Sequence, residues 1–521
     1  MIRETGLQMD DRIIAYDLGT GGIKASLYEI SGTSIFDVFF SYDTDYSSGN
    51  IHEQSPDVWW QGIIRTTQKL LADTKTSAAS IVGIAISGHS LGAVPVDVNG
   101  NLLRQLTPIW SDTRAEAQTE AFFGKIDYDN WYTTTGNGFP AECYSVFKVM
   151  WYRDNEPEMF VKVHKILGSK DYCNLRLTGK MYTDQSYASG SGIFDLHKNM
   201  YRNDFADAAG LDLRIFPEIL KSHDIVGNLT AEAAAILGLT EQTKVICGGV
   251  DNSCMALGAR GFKPGRAYTS LGSSSWIAVI GYEPIVDIVH KPFVFSHVVD
   301  GMYTSATSIF AAGSSLRWVR DNICIDVTDK EAAGEIPDAY LEMNRMAAKS
   351  TIGANGLIFN PSLAGGAMIE ESKHICGGFI GLNLRHNRND LIRATMEGIT
   401  YNLFYAMEIL AKYEADIDQM LLVGGGSKSA FWRQMFSDVF AMDMIKTTVD
   451  QNCASLGAAA LVAFGLGYWS DYSQIDRVHR QESVHRPDPV NTAQYRTFYD
   501  LHRESAHFFA LSGESLHKMG Y

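Results

Sequence analysis

Asp17-Leu18-Gly19-Thr20-Gly21-Gly22 and Ser270-Leu271-Gly272-Ser273-Ser274-Ser275 lie about half a chain apart and share one design. Each follows a β-rich run (Ile13-Ile14-Ala15-Tyr16; Ala267-Tyr268-Thr269) and leads into another (Ile23 to Tyr28; Trp276 to Ile280). Such a turn offers backbone N–H groups and small hydroxyls with little side-chain bulk, a surface suited to phosphate oxygens. Two copies predict a duplicated, two-lobed α/β protein closing around a polyphosphate nucleotide. Only the first copy carries an acid, Asp17, so the halves differ in task.

Outward from the first turn, Ile13–Ala15, Ile23–Glu29 and Ser34–Phe40 read as a β-meander, Asp57–Leu71 as a helix and Ile81–Ile86 as a buried strand ending at Ser87-Gly88. Around the second turn the order repeats: a hairpin over Arg266–Val286, a helix from Leu391 to Tyr413, and a strand Met420–Val423 ending at Gly424-Gly425-Gly426. Strand, glycine-rich end, then helix places ligands at strand carboxyl ends. A further strand, Lys244–Gly249, leads to Asp251 and a helix from Asn252 to Arg260. Gly258, Gly261, Pro264 and Gly265 mark a boundary near 258–265, which predicts an N-terminal lobe over 1–258 and a C-terminal lobe over 259–521. Residues 121–240, rich in Tyr, Asn and Asp, read as an insertion in the first lobe, and Asn491–Phe509 as a helical tail.

The chain has 521 residues, 45% of them hydrophobic, which suits two substantial domains. Its net charge of −16 and lack of any Lys/Arg cluster disfavour nucleic acid or an anionic membrane as partner. The seven cysteines are scattered and form no CxxC pair, so they read as buried small side chains in a reducing, cytoplasmic setting. Met1–Arg12 lacks the apolar core of a signal peptide, and no run of about 18 apolar residues occurs. A homodimer is compatible with all of this.

Three strings carry candidate chemistry, each with a plain structural alternative. Gly19–Gly22 suit β/γ-phosphates with Asp17 positioning Mg²⁺, or form a tight hairpin with an Asx bond; Lys24 reaches phosphate or is a solvated charge. Asp251, after Gly248-Gly249-Val250, suits a base that takes a proton from a substrate hydroxyl, or a helix N-cap. Gly424-Gly425-Gly426-Ser427, followed by Trp432, lets a planar base and ribose lie against backbone, or is a βα turn that needs glycine; it is not a P-loop.

These strings, in order, resemble the FGGY carbohydrate kinases of the actin-like/hexokinase-like ATPase superfamily. The resemblance also covers Glu53-Gln54 with Trp59-Trp60, Gly83–Gly88, Trp110-Ser111-Asp112-Thr113-Arg114, Lys170-Asp171-Tyr172 and Thr183-Asp184. Ser145-x-x-Lys148-Val149-x-Trp151 matches the first family signature in part, with Cys143 and Tyr152 off pattern. Gly377-x-Phe379-x-Gly381-Leu382, seven residues, then Asp390-Leu391-x-x-Ala394-Thr395-Met396-Glu397 matches the second throughout.

The resemblance implies two actin-like (ribonuclease H-like) lobes with an interlobe cleft, 1–258 sugar-binding and 259–521 nucleotide-binding, and ATP-dependent phosphorylation of a sugar or polyol hydroxyl. It implies Asp251 as base, Asp17 on the Mg²⁺ side, and Gly19, Thr20, Gly21, Gly22 and Lys24 with Gly272, Ser273 and Ser274 at the phosphates. Gly424, Gly425, Gly426, Ser427 and Trp432 would hold adenosine; His89, Ser90, Trp110, Asp112, Arg114, Asp251 and Asn252 would meet the sugar. The spacing is most similar to xylulokinases, which puts a ketopentose such as xylulose first, with ribulose, fuculose, erythritol or glycerol as alternatives. Two strings depart from that pattern: Leu91 stands where xylulokinases carry a sugar-contacting histidine, and Ala364-Gly365-Gly366-Ala367-Met368 replaces a Gly-Glu-Arg-x-Pro loop. An alternative of another class, an Hsp70-like or actin-like nucleotide-driven protein, would share the turns but need neither Asp251 nor the 377–397 signature.

Overall fold

A computed structural model describes residues 10–413 and 417–520; most of the Met1–Arg12 segment lies outside them. The described chain groups into two compact units. The first unit is built on a sheet whose strands run in the spatial order Ile225–Asn228, Lys244–Ile246, Ile81–Gly88, Arg12–Leu18, Gly22–Glu29 and Ser34–Ser41. Arg12–Leu18 and Ile81–Gly88 are parallel, with Asp17 opposite Ser87, and Gly249–Val250 pairs beside Ser87–Gly88. Three strand ends therefore meet at one edge, the carboxyl end where open α/β sheets hold ligands. Helix Pro56–Thr74 covers this sheet by burying Trp59, Trp60, Ile63 and Leu70.

The stretch expected as an insertion is less separate than its composition suggests. Strand Ile225–Asn228 pairs antiparallel with Lys244–Ile246, and Ala233, Ala234 and Leu237 of the following helix join the main core. The apolar spacing of that helix was hidden inside an otherwise polar segment.

The linear division of the chain differs from its packing. Ile280–Thr304 and Asn452–His479 group with residues 1–264 in the first unit. For Asn452–His479 the reason lies in one helix pair. Helix Cys453–Gly465 lies against helix Asp251–Gly258 so closely that a Cβ on Gly258 would sit 1.8 Å from the Cys453 carbonyl oxygen, and one on Gly457 2.0 Å from that of Cys254. Glycine at both positions lets the backbones touch.

In the second unit Ala267–Leu271 pairs antiparallel with Ser275–Val279 and parallel with Gln419–Val423. Asp443–Thr447 and Gln481–His485 extend that sheet. The hairpin is shorter than expected, its second strand ending at Gly281. Helix Arg388–Ala411 opens with a capping box between Asn387 and Asp390, and the tail is a 30-residue helix, Pro489–Lys518. Among the described residues no helix is long and apolar enough to cross a membrane.

Candidate functional site

Asp17 and Asp251 stand at the adjoining strand ends of the first unit. Asp251 is the first residue of its helix, not its N-cap; Val250 takes the cap position and offers no side-chain bond there. Its Oδ1 accepts from the next residue, from Asn252 N at 2.8 Å and Asn252 Nδ2 at 3.3 Å. Burial pushes the Asp251 carboxyl up to about 7, and the Asp17 charge adds to the rise. Asp17 is likewise raised by burial and is opposed by Lys24, its partner in the strand pair. Lys24 Nζ donates to Asn452 Oδ1 at 2.8 Å, so it is held beside Asp17 from the neighbouring helix. Behind Asp251, Val250 N donates to Ser186 Oγ at 2.9 Å, and Ser186 donates to Asp184, which Lys170 meets at 2.9 Å. A fully buried ion pair thus fixes the backbone that presents the carboxylate.

The first turn is held from behind. Tyr42 donates to the Gly19 carbonyl at 2.5 Å, Gln54 Nε2 to the Thr20 carbonyl at 2.6 Å, and Trp110 Nε1 to Thr20 Oγ1 at 3.0 Å. Gly21 has open space where a Cβ would be, leaving its backbone accessible. Trp110, 40% exposed, therefore lies against the phosphate-type turn and is not core.

Asp112 and Arg114 are a buried pair, not a surface one. Asp112 accepts from Arg114 Nε and Nη2 at 2.9 and 2.7 Å and from His52 N at 2.7 Å; Arg114 also meets Glu53 at 2.8 Å. The Asp112 carboxylate is committed inside the protein and anchors Arg114, whose guanidinium stacks over Trp151 at 4.9 Å. His89 is buried edge-on to Trp59 at 5.1 Å, neither ring nitrogen has a hydrogen-bond partner among the described residues, and burial pushes its pKa down to about 4. It is a neutral imidazole at neutral pH. Ser90 adjoins it, and Leu91 has a left-handed backbone (φ 60°) with its side chain turned inward against Gly190.

The second unit holds a cavity of about 430 Å³. Gly272, Ser273, Gly425, Gly426 and Trp432 line it, a size and mixture suited to a nucleoside. Gly425 has nothing within 4 Å of a would-be Cβ, whereas Gly424 (φ 88°) needs glycine because Leu271 O would lie 2.9 Å away. Ser427 is buried with its hydroxyl on the Gly424 carbonyl at 2.7 Å, and Trp432 Nε1 donates to Thr400 at 2.9 Å. The Ser427 hydroxyl closes the turn, while the Trp432 indole N–H ties to helix Arg388–Ala411 and its ring forms wall. Ser274 is exposed and outside that wall. Sequence reading missed Arg317, Tyr340, Leu341 and Asn344, which also line it. Helix Ala339–Ala347 carries three of them in no motif; its one signal is Leu341, 47% exposed on an otherwise amphipathic helix.

Among the described residues no three His, Cys, Asp or Glu side chains form a ready metal cage. Mg²⁺ does not require one, since it binds through one or two carboxylates with phosphate oxygens and water, a set that the desolvated Asp17 fits.

Residues 12–258 match the N-terminal domain model of the FGGY family of carbohydrate kinases, and residues 267–466 match its C-terminal domain model. A xylulose kinase of Bacillus subtilis (strain 168) is 31% identical over 493 residues, covering 94% of this chain and 96% of the relative. A gluconokinase of Bacillus licheniformis is 25% identical, covering 95% of each. A ligand-bound xylulose kinase structure from Lactobacillus acidophilus superposes with a TM-score of 0.88 at 24% identity, covering 97% of this chain and 100% of that one.

Proposed function

The chain belongs to the FGGY family of carbohydrate kinases and is an ATP-dependent sugar kinase, and we propose that its acceptor is a ketopentose, xylulose first, with Asp251 as the general base. The observation that carries the reading is Asp251 itself. It is a carboxylate at the sheet's carboxyl end, not spent on capping, raised to about 7 and presented by a buried ion-pair network. The full-length similarity to a xylulose kinase supports the choice of sugar.

In this reading Asp251 accepts the proton of the sugar hydroxyl as that oxygen forms its bond to phosphorus. Mg²⁺·ATP, when bound, supplies the phosphoryl group and the metal charge that offsets its oxygens. Asp17 would hold the metal side, and the Gly19–Gly22 backbone of the first unit and the Gly272–Ser274 backbone of the second each offer N–H groups suited to phosphate. The Gly425–Gly426 and Trp432 wall receives the nucleoside. His89, Ser90, Trp110, Arg114 and Asn252 orient the sugar, with Asp112 acting through Arg114. Because Arg114 Nε and Nη2 already serve Asp112 and Glu53, this string offers a sugar hydroxyl more than it offers a carboxylate, which favours a ketose over gluconate.

Coupled ADP detection with xylulose, ribulose, fuculose, erythritol, glycerol and gluconate tests the acceptor; xylulose is expected to give the highest kcat/KM. Asp251→Asn is expected to lower kcat by about 10²–10⁴-fold with ATP affinity kept. Activity surviving that substitution would remove Asp251 as base.

A further inference from the structure

The segment following His89 is held by side chains of one helix. Ser145, Lys148 and Tyr152 fall on a single face of helix Ser145–Asn155, at spacings of three and four. Lys148 Nζ donates to the Leu91 carbonyl at 2.9 Å, Ser145 Oγ to that of Gly92 at 2.9 Å and Tyr152 OH to that of Ala93 at 2.9 Å. Ser169 Oγ completes the set on the His89 carbonyl at 2.8 Å. Lys148 Nζ also donates to the carbonyl of Ile109, the residue before Trp110, at 2.6 Å. One ammonium therefore ties the left-handed Leu91 turn to the Trp110 string.

We propose that Lys148 is a positioning residue for the sugar, the pivot of a helix clamp that sets the 89–93 turn and Trp110 in register. The inference rests on the assignment of His89, Ser90 and Trp110 to the sugar made above. Packing alone would be met by methionine, whereas a fully buried ammonium carries a large desolvation penalty. What the ammonium adds is a compact cluster of three donors able to serve two carbonyls of different loops at once. Burial pushes it down only to about 8, so it remains charged at neutral pH, with Asp112 and Arg114 as the nearby charges. Leu91 is the consequence: a branched side chain keeps φ at 60° because its carbonyl is held from outside the turn.

The test compares steady-state kinetics of the whole protein with xylulose, or the best acceptor of the panel. Lys148→Met is expected to raise the sugar KM at least tenfold while the ATP KM stays within about twofold. Ser145→Ala and Tyr152→Phe, which each remove one bond of the clamp (the second also a 3.4 Å bond from Arg104 Nη1), are expected to raise the sugar KM in the same direction by less, and they serve if Lys148→Met does not fold. Val149→Ala, a buried cavity on the same helix, is expected to lower the melting temperature without moving the sugar KM. An unchanged sugar KM in the clamp variants, equal shifts for both substrates, or the same shift in Val149→Ala overturns the proposal. Trp110→Ala separates the two levels. If it leaves the sugar KM unchanged, the sugar-site assignment fails and takes the clamp with it. If it raises the KM and Lys148→Met does not, the clamp alone fails.

Discussion

At Asp251, the base proposed above, function and stability pull in opposite directions. A base must be ionised to accept a proton, and burial with Asp17 nearby sets this carboxyl at about 7. The kcat/KM profile is therefore expected to fall with decreasing pH below about 7, and a profile flat down to pH 5.5 would contradict that environment. The same shift acts on folding. A pKa raised above its unfolded value of 3.8 means that the favourable contribution of the neutral carboxyl is present at low pH and lost as pH rises through about 7. Asp251→Asn, neutral at every pH, is thus expected to melt a few degrees above the parent at pH 8. The difference shrinks as pH drops towards 4. Since Asp251 keeps some solvent contact, only a fraction of the nominal value applies, about 1–2 kcal/mol. Thermal melts of both proteins across pH 4–8 check the sign.

At the scale of elements, the contact between helices Asp251–Gly258 and Cys453–Gly465 leaves no room for a methyl group. Gly457→Ala would drive a Cβ into the Cys254 carbonyl, and Gly258→Ala into that of Cys453. Each is expected to destabilise by about 1–3 kcal/mol and, by tilting the helix that starts at Asp251, to lower kcat. Denaturant unfolding and kinetics on the same variants measure both. This pair also shows where sequence reading stops. The turns, the strands that flank them and the Asp251 helix were legible because glycine positions and β-rich runs have local causes. Helix Cys453–Gly465 is apolar all round and nearly all buried, so it has no polar face to say which core it enters. The cavity wall at Tyr340 and Asn344 was silent for a related reason, since its residues converge from separate elements without a shared spacing. For Asp112, sequence offered a choice between ligand and ion pair; only the contacts from His52 N and the Arg114 guanidinium show both of its oxygens in use.

For the whole molecule, the first unit takes its residues from 1–264, 280–304 and 452–479. A fragment ending at Pro264 would lack the Cys453–Gly465 helix and the Asn452 that holds Lys24. Expressed alone it is expected to give no cooperative melt, while the full chain does; circular dichroism on both tests this, and a sharp transition for the fragment would show that the first stretch is self-sufficient. The same threading sets an order of events during synthesis. A ribosome adding about 5–20 residues each second takes roughly 10–40 s to travel from Pro264 to His479. Throughout that interval the helix carrying Asp251 has been made but its covering partner has not, so the surface destined for that methyl-free contact stays open to water and to other nascent chains.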